Sequence, residues 1–459
     1  MEISAGKDSE DFSFESLQDQ GCMVFYEGSL IGRDSASWLF MHYDTNFFKL
    51  KNLSIPLPEN LQVVSSYFTD NKLFALFQNI PSKKNGLVKT YLTTIDIDSY
   101  QFTAQEIKDF DQRGVFRILP VGNELIIETS QKDAEGLFFY DLIENQLHEF
   151  KVAGQTIYSI EFVHPDTLSR HCLLGLVLTY GKNSSRLSLY EADMEGTVLR
   201  EIEFPDLPNA LYNSARLTCV DDSTFLILGT YNLARKNISG DLQSGVYSII
   251  YKNGALQMPK LYDYVKLNDS LAKPKASLDL HLLIGDYITT NGKEFVLTAE
   301  LFYPEYVNSG GGYYDFYNNF VPAAPTFAGY RYINAYITSF DAQGDLQWNY
   351  YMPFNELLTQ RLATRVAVHF IGENEVVYYP YNFSLTSAYL HHGEIIEPLS
   401  TMNLETLQNR ETVEYSKKVK MQTWYDDNFV ISGYQYIKNN NRGNKNRRYV
   451  FFANKLQYQ

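Results

Sequence analysis

"GVFRILPVGNELIIETSQKDAEGLFFYDLIENQLHEFKV", Gly114–Val152, decides the fold. A short apolar strand ends in a Gly-Asn turn, and a second, almost wholly apolar run follows at once. Then comes "GLFFYDLIENQLHEFKV", two more short strands joined by a polar turn. Continuous apolar runs of this length, bounded by turn residues, are the mark of strands buried on both faces. The unit is therefore a four-stranded antiparallel meander.

The same order recurs along the chain. The apolar second strand returns in "TDNKLFALF" (Thr69–Phe77), "DDSTFLILGT" (Asp221–Thr230), "NGKEFVLTAE" (Asn291–Glu300), "GENEVVYYP" (Gly372–Pro380) and "YDDNFVISGY" (Tyr425–Tyr434). The turn-linked pair returns in "TYLTTIDIDSYQFTAQEI" (Thr90–Ile107), "LSLYEADMEGTVLREIEF" (Leu187–Phe204) and "NAYITSFDAQGDLQWNYYM" (Asn334–Met352). Units begin near Asp11, Leu61, Gly114, Thr156, Ala215, Leu280, Arg365 and Lys420. Tandem four-stranded sheets in this number resemble a β-propeller, whose blades have this size and order. The expected fold is all-β, a β-propeller of eight four-stranded blades over 11–459, with 1–10 as an N-terminal tail. Seven blades, the two ends sharing one, and two packed β-sandwich domains are the alternatives. A Trp-Asp blade ending is absent. "FDAQGDLQW" (Phe340–Trp348) resembles a quinoprotein blade, but one copy carries over no cofactor, and none is expected.

At 459 residues, a repeat that grows by adding units explains a length beyond the usual limit of a single core. Phe and Tyr, 30 and 36 in number, favour strands. The net charge of −15 argues against nucleic acid, which needs a basic footprint. No apolar run reaches the length of a membrane-spanning helix. The opening segment, "MEISAGKDSEDFSF", has neither signal- nor transit-peptide character, as a mature chain with its leader replaced by Met would. Cys22, Cys172 and Cys219 are far apart and read as buried free thiols.

With the four strands of a blade lettered a to d, a–b and c–d turns share one face and b–c loops the other. The first face is expected to be acidic, through Asp70, Glu124, Asp193, Glu195, Asp221, Asp222, Asp341, Asp345, Glu373, Glu375, Asp426 and Asp427. The b–c loops bring a basic rim of Lys83, Lys84, Lys89, Arg235, Lys236, Lys438, Arg442, Lys445, Arg447 and Arg448. Such a rim steers anionic partners, a protein or an anionic glycan. The sixth b–c loop is aromatic, with Phe302, Tyr303, Tyr306, Tyr313, Tyr314, Phe316, Tyr317, Phe320, Phe327 and Tyr330. Gly310–Gly312, Pro322, Pro325 and Gly329 argue against a regular element through its middle. Tyr offers a broad rigid surface with a polar tip, suited to a protein interface or to sugar stacking. A self-packed lid is the bland alternative.

No catalytic motif is present: no phosphate-binding loop, no GxSxG elbow, no HExxH. No catalytic or metal-ligating residue is therefore expected. Only "LHHGE" (Leu390–Glu394) gathers two His and an acid, a weak signal for a turn-borne metal site. The reading is a non-catalytic binding module or scaffold whose partner is a macromolecule. A carbohydrate-active propeller, lyase or hydrolase, or a glycan-binding protein, is the alternative. The Tyr- and Asn-rich, Cys-poor composition resembles envelope lipoproteins of Bacteroidota. That resemblance implies an extracytoplasmic, outer-membrane-anchored or surface location, an outer-membrane complex as partner, and a lipid-bearing Cys upstream of this chain.

Overall fold

A computed structural model describes residues 1–6, 12–31, 33–79, 87–130, 134–166, 170–180, 184–233, 244–263, 280–307, 312–314, 320–322, 324–355, 357–404, 406, 411–439 and 447–457. The protein is an eight-bladed β-propeller, each blade a four-stranded antiparallel sheet. Blades 5 and 6 carry short extra strands. Blades 1 to 7 begin at Ser13, Leu61, Val115, Thr156, Ala210, His281 and Ala367, and blade 8 begins at Glu411.

Blade 3 shows why the sequence folds this way. Its strand b, Glu124–Ser130, is buried over all but its last residue, because both faces are covered. It pairs in unbroken register with strand c, Glu135–Asp141, from Glu124 opposite Asp141 to Ser130 opposite Glu135. Leu125 and Ile127 pack with blade 2, while Ile126 and Phe139 pack with blade 4. One sheet thus serves two cores, which is why its strands show no polar alternation.

The described chain forms two compact units, Met1–Glu201 with Leu404–Gln459, and Ile202–Asn403. In the first, separate apolar clusters join blades 8 and 1, 1 and 2, 2 and 3, and 3 and 4. In the second they join blades 5 and 6, and 6 and 7. Blade 8 is completed from the other end of the chain. Its strands Glu411–Thr423, Asn428–Asn439 and Arg447–Gln457 take Glu2–Ser4 as the fourth, with Glu2 opposite Phe452. Residues 1–10 are thus not simply a tail: the first of them form a sheet edge, and the Met1 ammonium donates to the Ala453 carbonyl at 2.7 Å. Cys22 and Cys172 are buried as expected; Cys219, near the end of strand a of blade 5, is exposed.

The c–d turns have a common chemistry. Asp44, Asp96, Asp141, Asp193 and Asp341 stand at the start of five of them. The Oδ1 of Asp141 accepts the Ile143 and Glu144 amides, that of Asp193 the Glu195 and Thr197 amides, and that of Asp341 the Gln343 and Asp345 amides. An Asp in this position satisfies turn amides that have no ladder partner. Much of the acidity expected of this face is therefore used to build turns.

Polar side chains also tie strand a of a blade to the blade before it. Gln78 donates to the Gln112 carbonyl at 2.8 Å, Arg216 to the Gly285 carbonyl at 2.8 Å, and Glu135 accepts the Ile160 amide at 2.5 Å. Glu300, fully buried, accepts the Arg365 and Val366 amides on Oε1 at 2.5 and 2.7 Å. Burial pushes its carboxyl up to about 7, against the lowering pull of those amides and of the Arg365 charge. Between the ordinary carboxylate range and pH 7 the folded protein keeps a proton that the unfolded chain releases. The stability from this group is thus full at low pH and declines as pH rises through that window. Glu300→Gln keeps an acceptor and cannot ionise. In urea titrations at pH 5 and pH 8, the variant is expected to gain on the wild type by about 3 kcal/mol at most. A difference that does not change with pH would rule out a protonated Glu300.

Candidate functional site

Blades 6 and 7 meet around three side chains whose donor atoms all lie within 4.8 Å of one another: Glu294, Glu375 and His392. Glu294 stands in the a–b turn of blade 6, directly before strand b, Phe295–Val307. Asn291 shapes this turn by accepting the Lys293 and Glu294 amides at 3.0 and 2.9 Å. Glu375 is the second residue of blade 7 strand b, Asn374–Tyr381. His392 sits in the c–d turn of blade 7 with φ +48°.

That turn leans on blade 6 through Gly393. Its φ is +79°, and a Cβ there would lie 2.8 Å from the Trp348 ring. Trp348 and Ser339, opposite each other on strands d and c of blade 6, both donate to Glu294 Oε2, at 2.7 and 3.0 Å. Glu294 Oε1 is left to face His392 Nδ1 at 2.5 Å. Glu375 lies beneath, fully buried, and neither of its oxygens has a hydrogen-bond partner among the described residues. Burial and then the Glu294 charge push its carboxyl up to about 7. The nearby Gly393 and His392 amides and the His392 ring pull the other way, though neither amide reaches normal bonding geometry.

"LHHGE" therefore works differently from its sequence. His391 turns away and shares a 2.8 Å hydrogen bond with Asn374 Oδ1, and Glu394 is exposed. His392 alone reaches the cluster, and its partners come from far along the chain. Glu375 was legible only as an acid of the turn face, and Glu294 was not singled out by the sequence at all. One signal was available: blade 7 has His391-His392 where five other blades carry Asp at the turn.

The aromatic segment of blade 6 is more regular than its Gly and Pro content suggests. Strand b, Phe295–Val307, and strand c, Thr326–Phe340, stay paired as far as Val307 opposite Thr326, and Gly312–Tyr314 pairs with Phe320–Pro322. Gly329, with φ +144°, lies where the register shifts between Glu305 and Tyr306, so it accommodates a bulge instead of ending the strand. A run of rings 4.9–5.9 Å apart links Tyr306, Phe327, Tyr330, Phe302, Tyr332, Phe354 and Tyr379. Phe302 belongs to the core between blades 6 and 7 and is only 6% exposed, so its part is packing. Tyr303 and Tyr330 are half-buried. Tyr306 and Phe327 are 58% and 38% exposed. Tyr313, Tyr314 and Phe320 are placed by backbone alone; Phe316 and Tyr317 lie outside the described residues.

Of the basic rim, Lys83, Lys84, Arg235, Lys236, Arg442 and Lys445 lie outside the described residues. Lys89 is exposed and Lys438 half-buried. Arg447 pairs with Glu414 at 3.2 Å, and Arg448 is held by Glu411 at 2.6 Å and also by Glu2. The last loop has no acid of its own, but strands beside it supply three. These two arginines are anchored charges, not free ones. A separate cleft of about 380 Å³ between blades 3 and 4 is lined by Glu124, Asp141, Glu144 and Arg170. There Glu124 is paired with Arg170 at 3.2 Å, and Asp141 serves its turn.

Neither a known family nor a curated protein matches the sequence. Among solved structures, the chain is similar to the β-propeller domain of the Trilobed protease from Pyrococcus furiosus, at 9% identity and a TM-score of 0.38, over 87% of this chain and 95% of that one. It is also similar to the polysaccharide lyase Uly1, at 10% identity and a TM-score of 0.46, over 98% and 100%. A third is the N-terminal domain of Nup159, at 12% identity and a TM-score of 0.37, over 98% of each.

Gly393 tests the contact that assembles the cluster. Gly393→Ala forces a side chain against Trp348 at a backbone angle L-residues rarely adopt, and should cost about 1–3 kcal/mol. Thermal denaturation followed by tryptophan fluorescence reads it; an unchanged melt would show that the turn does not rest on Trp348.

Proposed function

We propose that this chain is a non-catalytic propeller that binds a macromolecular partner through the hairpin of blade 6. One observation carries the reading. Strands b and c of this blade run 13 and 15 residues, against 7 and 7 in blade 3, and the excess ends in exposed aromatic rings. Tyr306 and Phe327 contact each other at 5.7 Å, and Phe327 leans on Tyr330 at 5.1 Å. Arg331 and Glu305 form an ion pair on the hairpin's flank. Rings held in this way lose little side-chain freedom on binding, which is what favours Tyr and Phe as interface anchors.

The partner fits a protein with an apolar pocket that takes the exposed Tyr306 and Phe327 rings. The resemblance to envelope lipoproteins implies a place outside the cytoplasm and association with an outer-membrane protein complex. Affinity capture from the envelope fraction of the source cell tests both, comparing the wild type with Tyr306→Ala/Phe327→Ala. The double variant should melt within about 1 kcal/mol of the wild type, since both side chains are exposed, and should lose a partner that the wild type retains. Phe302→Ala is the contrast: it opens the core and should cost about 3–5 kcal/mol. An identical set of captured proteins with and without Tyr306 and Phe327 would remove the hairpin from the interface.

A further inference from the structure

We infer that Glu294, Glu375 and His392 form a binding site for one divalent first-row transition-metal ion, zinc foremost. The site is independent of the hairpin and its partner.

Three observations point to an ion. The first is Glu375, a fully buried carboxylate with both oxygens unpartnered among the described residues and one of them in the cluster. A native structure seldom leaves such a group unsatisfied, because the lost hydration is costly. The second is the supporting layer. Trp348 and Ser339 hold Glu294 Oε2 and so aim Oε1 at the cluster, as outer hydrogen bonds orient metal-bound carboxylates. The third is the turn itself, where Gly393 rests against the Trp348 ring and the adjacent His392 comes to face Glu294.

The donor chemistry narrows the ion. Two carboxylates neutralise a divalent charge, and an imidazole favours zinc and its neighbours over calcium and magnesium, which prefer oxygen. A tetrahedral ion with bonds of about 2.0–2.1 Å holds its donors roughly 3.3 Å apart. The His392–Glu294 contact of 2.5 Å must therefore open by less than 1 Å, and His392 is on an exposed turn that can move. Its open side leaves a position for water. The ion would join the c–d turn of blade 7 to the floor of blade 6.

The test is calorimetric titration of chelator-treated protein with zinc, then with calcium. Cobalt serves as a spectroscopic stand-in. One equivalent of zinc should bind and raise the melting temperature in proportion to its excess over the dissociation constant. Glu375→Gln and His392→Ala should each weaken binding by at least about tenfold. His391→Ala, which alters the neighbouring ring that faces Asn374, should leave it unchanged. Should Glu375→Gln fold poorly, His392→Ala decides alone, since that side chain is half-exposed. Cobalt should give visible absorption that His392→Ala abolishes. Zinc bound equally well by both variants, no binding at all, or no preference for zinc over calcium would overturn the assignment.

Discussion

Strands b and c of each blade are apolar on both faces, and a sheet of that kind is stable only between two others. Leu125 and Ile126, adjacent in sequence, serve different cores. No blade can bury its surface alone, so stability comes from sheet-on-sheet contact between neighbours. The open edge of blade 8 is covered by Glu2–Ser4, which also brings Glu2 to Arg448. A sheet edge that would invite another chain is occupied by this one.

Packing sheets this closely traps polar groups between them, and their satisfaction separates scaffold from site. Gln78, Glu135, Arg216 and Glu300 all reach backbone groups of the following blade. Such bonds set the register of one blade on the next as well as contributing modestly to stability. Glu300 has one oxygen on backbone amides and the other without a partner, whereas Glu375, just as buried, has neither oxygen partnered among the described residues. A buried carboxylate with both oxygens left open is where binding chemistry is to be sought.

Blade 6 bears two distinct features on one strand. Glu294 precedes Phe295 and Tyr306 lies near the far end of the same strand, so at about 3.3 Å per residue they are separated by roughly 40 Å. The hairpin offers aromatic surface; the cluster offers charge and imidazole. The ring series from Tyr306 to Tyr379 links the exposed hairpin to the core of blades 6 and 7, so the anchor residues rest on the same packing that brings the two blades together.

The sequence by itself determined the repeat. Apolar strands and their turn residues interact locally, so Gly114–Val152 specifies a four-stranded unit from its own pattern, and eight such units follow. The turn acids were legible for the same reason, since Asp141 and Asp193 bond within a few residues of themselves. The tertiary structure alone decided what depends on partners remote in sequence. Arg448 looks like a free cation in "NKNRR" until Glu411 and Glu2 arrive from a neighbouring strand and from the N-terminus. Phe302 looks like part of a loop until its ring proves to lie in the core. Glu294 and His392, 98 residues apart, meet only because blade 7 packs its c–d turn on blade 6. Side-chain period and turn chemistry are properties of a segment. Which carboxylate faces which imidazole is set by how one sheet lies on the next.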